Sequence, residues 1–183
     1  MRSIFEFAET YGPYTYRDYA SWGEGFRCEL INGIVYMMSS PSLWHQRLIK
    51  KLILQLEAYL KDKPCEVFIA PVDVILCDDD SDTTIVQPDI FIVCDKSKLK
   101  SEKECRGAPD FIIEVVSGSS AIDDMNRKHD LYQEYGVKEY WVVFRNKVIQ
   151  FDFVGNSKTE HDIEDPIATV KSVNFGFDLN FNL

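Results

Sequence analysis

The sequence predicts an α/β fold, and three features carry that prediction. Two apolar runs, PDIFIVCD at 88–95 and PDFIIEVVS at 109–117, open alike on Pro-Asp and are rich in Ile, Val and Phe. Continuous runs of that kind suit central strands buried on both faces. Two further stretches, 42–62 and 121–135, carry apolar residues at helical spacing. Ahead of them FRCELI (26–31), Asn32-Gly33 and IVYMM (34–38) read as a β-hairpin, because Asn-Gly supplies the positive φ angles of a type I′ turn. An N-terminal β-hairpin and a long helix therefore lead into the strand-rich remainder.

The elements follow in order. TYRDYASW (15–22) has Thr15 and Asp18 at capping-box spacing and reads as a short helix. In the long helix, Trp44, Leu48, Leu52, Leu56 and Tyr59 form an apolar stripe that Ile49, Ile53 and Leu60 widen. Ser40 or Ser42 caps it, and Pro64 closes it. EVFIA and VDVIL, within 66–76, read as strands around Pro71, followed by a polar loop, CDDDSDTT. The helix at 121–135 has Gly136 placed as its C′ stop. KEYWVVF and KVIQFDF pair around Arg145-Asn146, and the tail alternates at Phe175, Phe177, Leu179, Phe181 and Leu183 like a half-buried strand.

A chain of 183 residues with no repeat and no low-complexity tract is expected to form one domain, 1–183. No apolar run approaches the ~18 residues of a membrane span, and the acidic opening MRSIFEFAET is unlike a signal peptide. The five cysteines, 28, 65, 77, 94 and 105, are odd in number and lack a C-x-x-C pair. They are expected to be reduced thiols of a cytoplasmic protein, neither zinc ligands nor staples. The net charge of −10 argues against a generic nucleic-acid coat but not against an enzyme that meets DNA through a local patch and a metal. DKSKLKSEKECR (95–106), with five basic residues against three acidic ones, reads either as that patch or as a solvated loop.

The informative anomaly is Glu114, a carboxylate set inside a strand-like run. Burying a lone carboxylate costs several kcal/mol, on the order of the effective penalty for an ion, so it needs a partner or a cation. Asp110 shares its strand face, but four residues of extended chain are ~13 Å, too far for oxygens that must each reach a hard cation at ~2–2.6 Å. Asp89 opens the matching run; if the two runs pair, Asp89 and Glu114 point into one pocket. Oxygen-only ligation suits Mg²⁺ or Mn²⁺ better than zinc. The competing reading is that Asp89 caps a turn after Pro88.

Three other polar residues sit where apolar ones are expected. Lys128 shares a helix face with Met125, Leu131, Tyr132 and Tyr135; it either meets Glu114 or pairs with Asp124 on the surface. Glu29 lies mid-strand, and His45 begins the long helix above Ile49 and Leu52. Tyr132, Tyr135, Tyr140 and Trp141 read as core or as base-stacking groups. The acidic run Asp78, Asp79, Asp80 and Asp82 lacks the glycine and closing glutamate of a calcium loop and reads as a solvated turn. No G-x-S-x-G, Walker or H-E-x-x-H motif is present.

The ordered set ELINGIVYMMSSPSLWHQ, QPDIFIV, GAPDFIIEVVS, a helical lysine and LYQEYGVKEYWVV resembles the Uma-type family of restriction endonuclease-like proteins, within the PD-(D/E)XK nuclease superfamily. The resemblance runs from about Tyr14 to Phe153. It implies a restriction-endonuclease-like core, a mixed central β-sheet flanked by helices. It also implies Mg²⁺ or Mn²⁺ held by Asp89 and Glu114, with Glu29 and His45 lining the site. The superfamily places its lysine two residues after the second acid, where this chain has Val116; Lys128 is the match from the following helix. The expected function is metal-dependent hydrolysis of phosphodiester bonds, in DNA, by a homodimer. The expected roles are metal binding by Asp89 and Glu114, transition-state stabilisation by Lys128, a second ion or its water shell at Glu29, and a water or phosphate contact at His45. The alternative is a nuclease fold that binds nucleic acid or a protein without cutting.

Overall fold

The structure is a computed structural model that describes residues 13–22, 27–77, 79–116 and 121–183. Segment 1–12, Phe26, Asp78 and Ser117, each part of a stretch read above, lie outside the described residues. The central element is a mixed six-stranded sheet. Its strands are β3 (Glu66–Ile69), β6 (Ile90–Val93), β8 (Phe111–Val115), β9 (Glu139–Val143), β10 (Lys147–Asp152) and β11 (Ser157–Asp162). They lie in the order β11-β10-β9-β8-β6-β3. Only β8–β9 is parallel, and the intervening chain forms the crossover helix α3 (Ala121–Glu134). The two Pro-Asp runs become β6 and β8, neighbours and antiparallel. The predicted α/β core with a mixed sheet is what the chain adopts.

Each face of this sheet is covered. On one face lies α2 (Leu43–Leu60), with Leu48, Leu52 and Leu56 buried against Ile113, Trp141 and Val143. Burying each leucine is worth ~1.5–3 kcal/mol, so the helix is held by its stripe more than by its propensity. Ser42 caps it by accepting from the His45 backbone at 3.2 Å, which fixes where His45 enters the fold. On the other face lie α3, through Met125, Leu131 and Tyr132, and a second sheet.

The second sheet runs β2 (Ile34–Met37), β1 (Cys28–Ile31), β5 (Ile85–Val86), β4 (Asp73–Ile75) and β7 (Glu104–Arg106). The hairpin forms as expected, with Asn32 at φ 51° and Gly33 at φ 77°. A side chain at Gly33 would place its Cβ 2.3 Å from that of Pro13, so the turn needs glycine for space as well. The short helix α1 (Tyr16–Ser21) has the predicted Thr15–Asp18 capping box and packs with Tyr14, Leu30, Ile75 and Ile85.

Several expectations are corrected. Cys65 and Cys94 form a disulfide, so the reading of five reduced thiols fails; Cys28, Cys77 and Cys105 are free. The β3–β6 register pairs Glu66 with Val93 and so brings Cys65 beside Cys94, a consequence of strand pairing that sequence spacing does not show. The tail alternates in burial at Phe177, Leu179 and Phe181, but Leu183 is exposed and only Asp178–Asn180 forms a strand, β13. It is limited by its three-residue partner β12 (Thr169–Lys171). Strand β11, SKTEHD, went unread because a solvated edge strand has no apolar alternation.

The segment 95–106 is a 3₁₀ turn over Lys96–Lys98 followed by β7, and three of its five cations are engaged locally: Lys96 with Glu66, Lys98 with the Ala108 carbonyl, Arg106 with Glu104 and Asp80. Asp82, read as part of a solvated turn, is buried and accepts from the Cys77 and Thr84 amides. Among the described residues no helix is long and apolar enough to cross a membrane.

Candidate active site

The β6–β8 ladder pairs Ile90 with Ile113 and Phe91 with Ile112. One step further along, the same register sets Asp89 opposite Glu114, and opposed residues of an antiparallel pair project to one face. That face carries Ile112 and looks toward α3 and the second sheet. Asp110, at the other end of β8, is committed elsewhere: one oxygen meets Lys138 Nζ at 2.7 Å and the other accepts from the Cys94 amide at 2.8 Å.

Three elements deliver the remaining side chains. Strand β1 brings Glu29, the start of α2 brings His45, and α3 brings Lys128 and, one turn on, Tyr132. Lys128 Nζ donates to Glu114 Oε1 at 2.8 Å and to Glu29 Oε1 at 2.9 Å. Its alternative partner, Asp124, stands further off at 3.9 Å. The lysine is therefore an inward residue, with its side chain only 5% exposed. Tyr132 donates its hydroxyl to the same Glu114 Oε1 at 3.0 Å. His45 Nε2 lies 3.0 Å from Asp89 Oδ2, and the Val115 amide donates to that same oxygen at 2.8 Å. Glu29 Oε1 also accepts from the Gln87 amide at 3.0 Å.

All five residues singled out from the sequence, Glu29, His45, Asp89, Glu114 and Lys128, thus line one cleft of about 660 Å³. Its walls also include Arg27, Tyr36, Asp124 and Arg127. Arg127 stacks over the Tyr36 ring at 4.0 Å and pairs with Asp124. Val116, two residues after Glu114, lines the cleft as well.

The charge balance is uneven. Glu29 and Glu114 hold one ammonium between them, with Asp124 at 3.9 Å and Asp89 in the same cleft. Burial pushes the Glu114 carboxyl up to about 8; Lys128 opposes that rise, while the charges of Asp89 and Glu29 add to it. Burial pulls Lys128 down, but the Glu114 and Glu29 carboxylates outweigh it and hold the ammonium well above its ordinary value. A buried carboxylate that resists ionising in a cleft is a candidate functional group.

The donor set suits a hard divalent cation. In each of the two acids one oxygen is held by two donors, Asp89 Oδ2 by His45 and Val115 and Glu114 Oε1 by Lys128 and Tyr132. The other oxygen of each, Asp89 Oδ1 and Glu114 Oε2, takes no hydrogen bond among the described residues. Among those residues no group of three or more His, Cys, Asp or Glu side chains is arranged to hold a metal ion, so the two carboxylates are the candidate ligands and water would fill the other positions.

Glu139 shows what a purely structural buried acid looks like in this chain. Its Oε1 accepts from Trp141 and Gln150, and its Oε2 from the Ser172 hydroxyl and the Asn174 amide, at 2.7–2.9 Å. It docks the C-terminal hairpin and leaves neither oxygen free. Sequence reasoning missed both Glu139 and the hydroxyl role of Tyr132. The signal for Tyr132 was its i,i+4 spacing from Lys128; for Glu139, its place opening an apolar strand.

The fold is similar to that in "Crystal structure of a putative nuclease belonging to DUF820 from Anabaena variabilis ATCC 29413", with a TM-score of 0.69 over 92% of this chain and 96% of that one, at 18% identity. No curated protein matches the sequence. The sequence model of the Uma2 family, described as "Putative restriction endonuclease", matches residues 14–165. That stretch holds β1 through β11 and every side chain of the cleft discussed above, and the chain belongs to the Uma2 family.

Proposed function

We propose that the protein is a divalent-metal-dependent endonuclease that hydrolyses phosphodiester bonds, with DNA as its substrate and Mg²⁺ or Mn²⁺ as its cofactor. One observation carries the reading. Two acids from adjacent strands, Asp89 and Glu114, line one cleft, each with one oxygen fixed by two donors and the other without a hydrogen bond among the described residues. The family and the fold agree with a nuclease.

In this reading Asp89 and Glu114 are the metal ligands. The bound ion supplies Lewis acidity toward the phosphate and an acidified water. Lys128 lies within hydrogen-bonding reach of a metal-ligating carboxylate, where its ammonium stabilises charge developing on the phosphate oxygens. Glu29 holds Lys128 from the opposite side, so the ammonium is aimed before substrate arrives. His45 fixes the orientation of Asp89, a role closer to its geometry than direct phosphate contact. Cutting both strands of a duplex uses two such sites, which makes a homodimer the proposed assembly.

The test is nicking of supercoiled plasmid with Mg²⁺ or Mn²⁺, comparing the wild-type protein with Glu114→Ala. Metal-dependent nicking by wild type alone supports the reading. Equal nicking by both, or metal binding with no cleavage of any DNA or RNA offered, contradicts it.

A further inference from the structure

Tyr132 is fully buried, yet its hydroxyl is aimed at the same carboxylate oxygen that Lys128 holds. The two residues are one turn apart on α3, so a single helix face presents both donors to Glu114 Oε1. Lys128 divides its donors between Glu114 and Glu29, whereas the Tyr132 hydroxyl is directed at Glu114 Oε1. Asp89 has the matching arrangement, with Oδ2 held by His45 Nε2 and the Val115 amide.

We propose that Tyr132 is a positioning residue for the metal centre: its hydroxyl fixes the rotamer of Glu114 and presents Oε2 to the cation independently of Lys128. This rests on the proposed metal-dependent reading of the cleft. The role is not one of packing alone, because the neighbouring tyrosine supplies a contrast. Tyr140 lies against Tyr132 with ring centroids 5.0 Å apart and is equally buried, but its hydroxyl has no hydrogen-bond partner among the described residues. Two equally buried tyrosines of one core thus differ in whether the hydroxyl reaches Glu114.

The experiment compares Tyr132→Phe with Tyr140→Phe and wild type in the intact chain. Mn²⁺ affinity is read from the electron paramagnetic resonance signal of free Mn²⁺, alongside thermal stability. Tyr132→Phe removes one oxygen and keeps the ring. The expected result is a loss of Mn²⁺ affinity of about 10-fold or more, the scale of losing a partner of a metal ligand. Tyr140→Phe should leave that affinity within twofold of wild type. In turnover, Tyr132→Phe should lower kcat while KM for an oligonucleotide stays unchanged. Equal Mn²⁺ affinity in Tyr132→Phe and wild type overturns the inference and leaves the metal reading standing. Failure of Tyr132→Phe to fold also overturns it, since the hydroxyl is then structural. Absence of Mn²⁺ binding by wild type overturns the metal reading itself and this inference with it.

Discussion

Lys128 Nζ lies 2.8 Å from Glu114 Oε1 although it comes from helix α3 and not from the strand that carries the acid. The residue two along the strand from Glu114 is Val116, and the ammonium arrives instead from the crossover helix.

The first prediction follows from that placement. Lys128→Met should reduce cleavage by about 10²–10³-fold, the scale of losing one charged stabiliser of a transition state. Mn²⁺ binding should survive, because the ligating oxygens remain. A single-turnover assay beside a metal titration separates the two effects. Loss of Mn²⁺ binding with no change in the rate at saturating metal would contradict the assigned role.

The second concerns pH. The folded carboxyl of Glu114 sits near 8, above its ordinary 4.5. Between those values the native state keeps a proton that the unfolded chain has released. Stability from this group is therefore full below about pH 4.5, lost as pH rises toward 8, and constant above. The melting temperature of metal-free protein should fall relative to Glu114→Gln across that window, and Mn²⁺ affinity should climb over the same range as the proton is displaced. Parallel melting curves for the two proteins from pH 5 to 8 would contradict it.

His45 supplies a third. Its ring holds Asp89 Oδ2 at 3.0 Å. His45→Ala should weaken Mn²⁺ binding by about 10–100-fold while the Ser42 cap of α2, made through the backbone, persists. Far-ultraviolet circular dichroism checks the helix, and calorimetry checks the metal. Unchanged affinity would return His45 to the role of a substrate contact.

How much of this was legible in the sequence depends on the residue. Glu29, His45, Asp89, Glu114 and Lys128 were all visible, because a polar side chain in an apolar strand or on an apolar helix face has to be explained. The pairing of Asp89 with Glu114 was inferable from two similar Pro-Asp openings. Tyr132 was not assigned a role, since an aromatic at helical spacing packs equally well with or without a partner for its hydroxyl. Glu139 was passed over because five donors from Trp141, Gln150, Ser172 and the 173–174 backbone converge on it only after the C-terminal hairpin folds back. The Cys65–Cys94 pair was hidden for a similar reason: it is set by strand register, across a separation of 29 residues.

That disulfide is a fourth prediction. Denatured, unreduced protein should show three reactive thiols and, after reduction, five. Five thiols without reductant, in protein purified under oxidising conditions, would contradict the pairing.

Glu139 provides a fifth, as a control on the site. Glu139→Ala strips the acceptor from several buried donors and should cost at least about 2 kcal/mol of stability. Asp89 and Glu114 are untouched by it, so Mn²⁺ affinity of the folded fraction should stay at the wild-type value. A metal defect proportionate to that of Glu114→Ala would tie the two acids together in a way the structure does not.

The most direct measurement of the central claim is anomalous diffraction from crystals soaked in Mn²⁺. An anomalous peak bridging Asp89 Oδ1 and Glu114 Oε2 at ligand distance is the predicted result. A peak lodged elsewhere, or none at saturating Mn²⁺ with both carboxylates ordered, would contradict it.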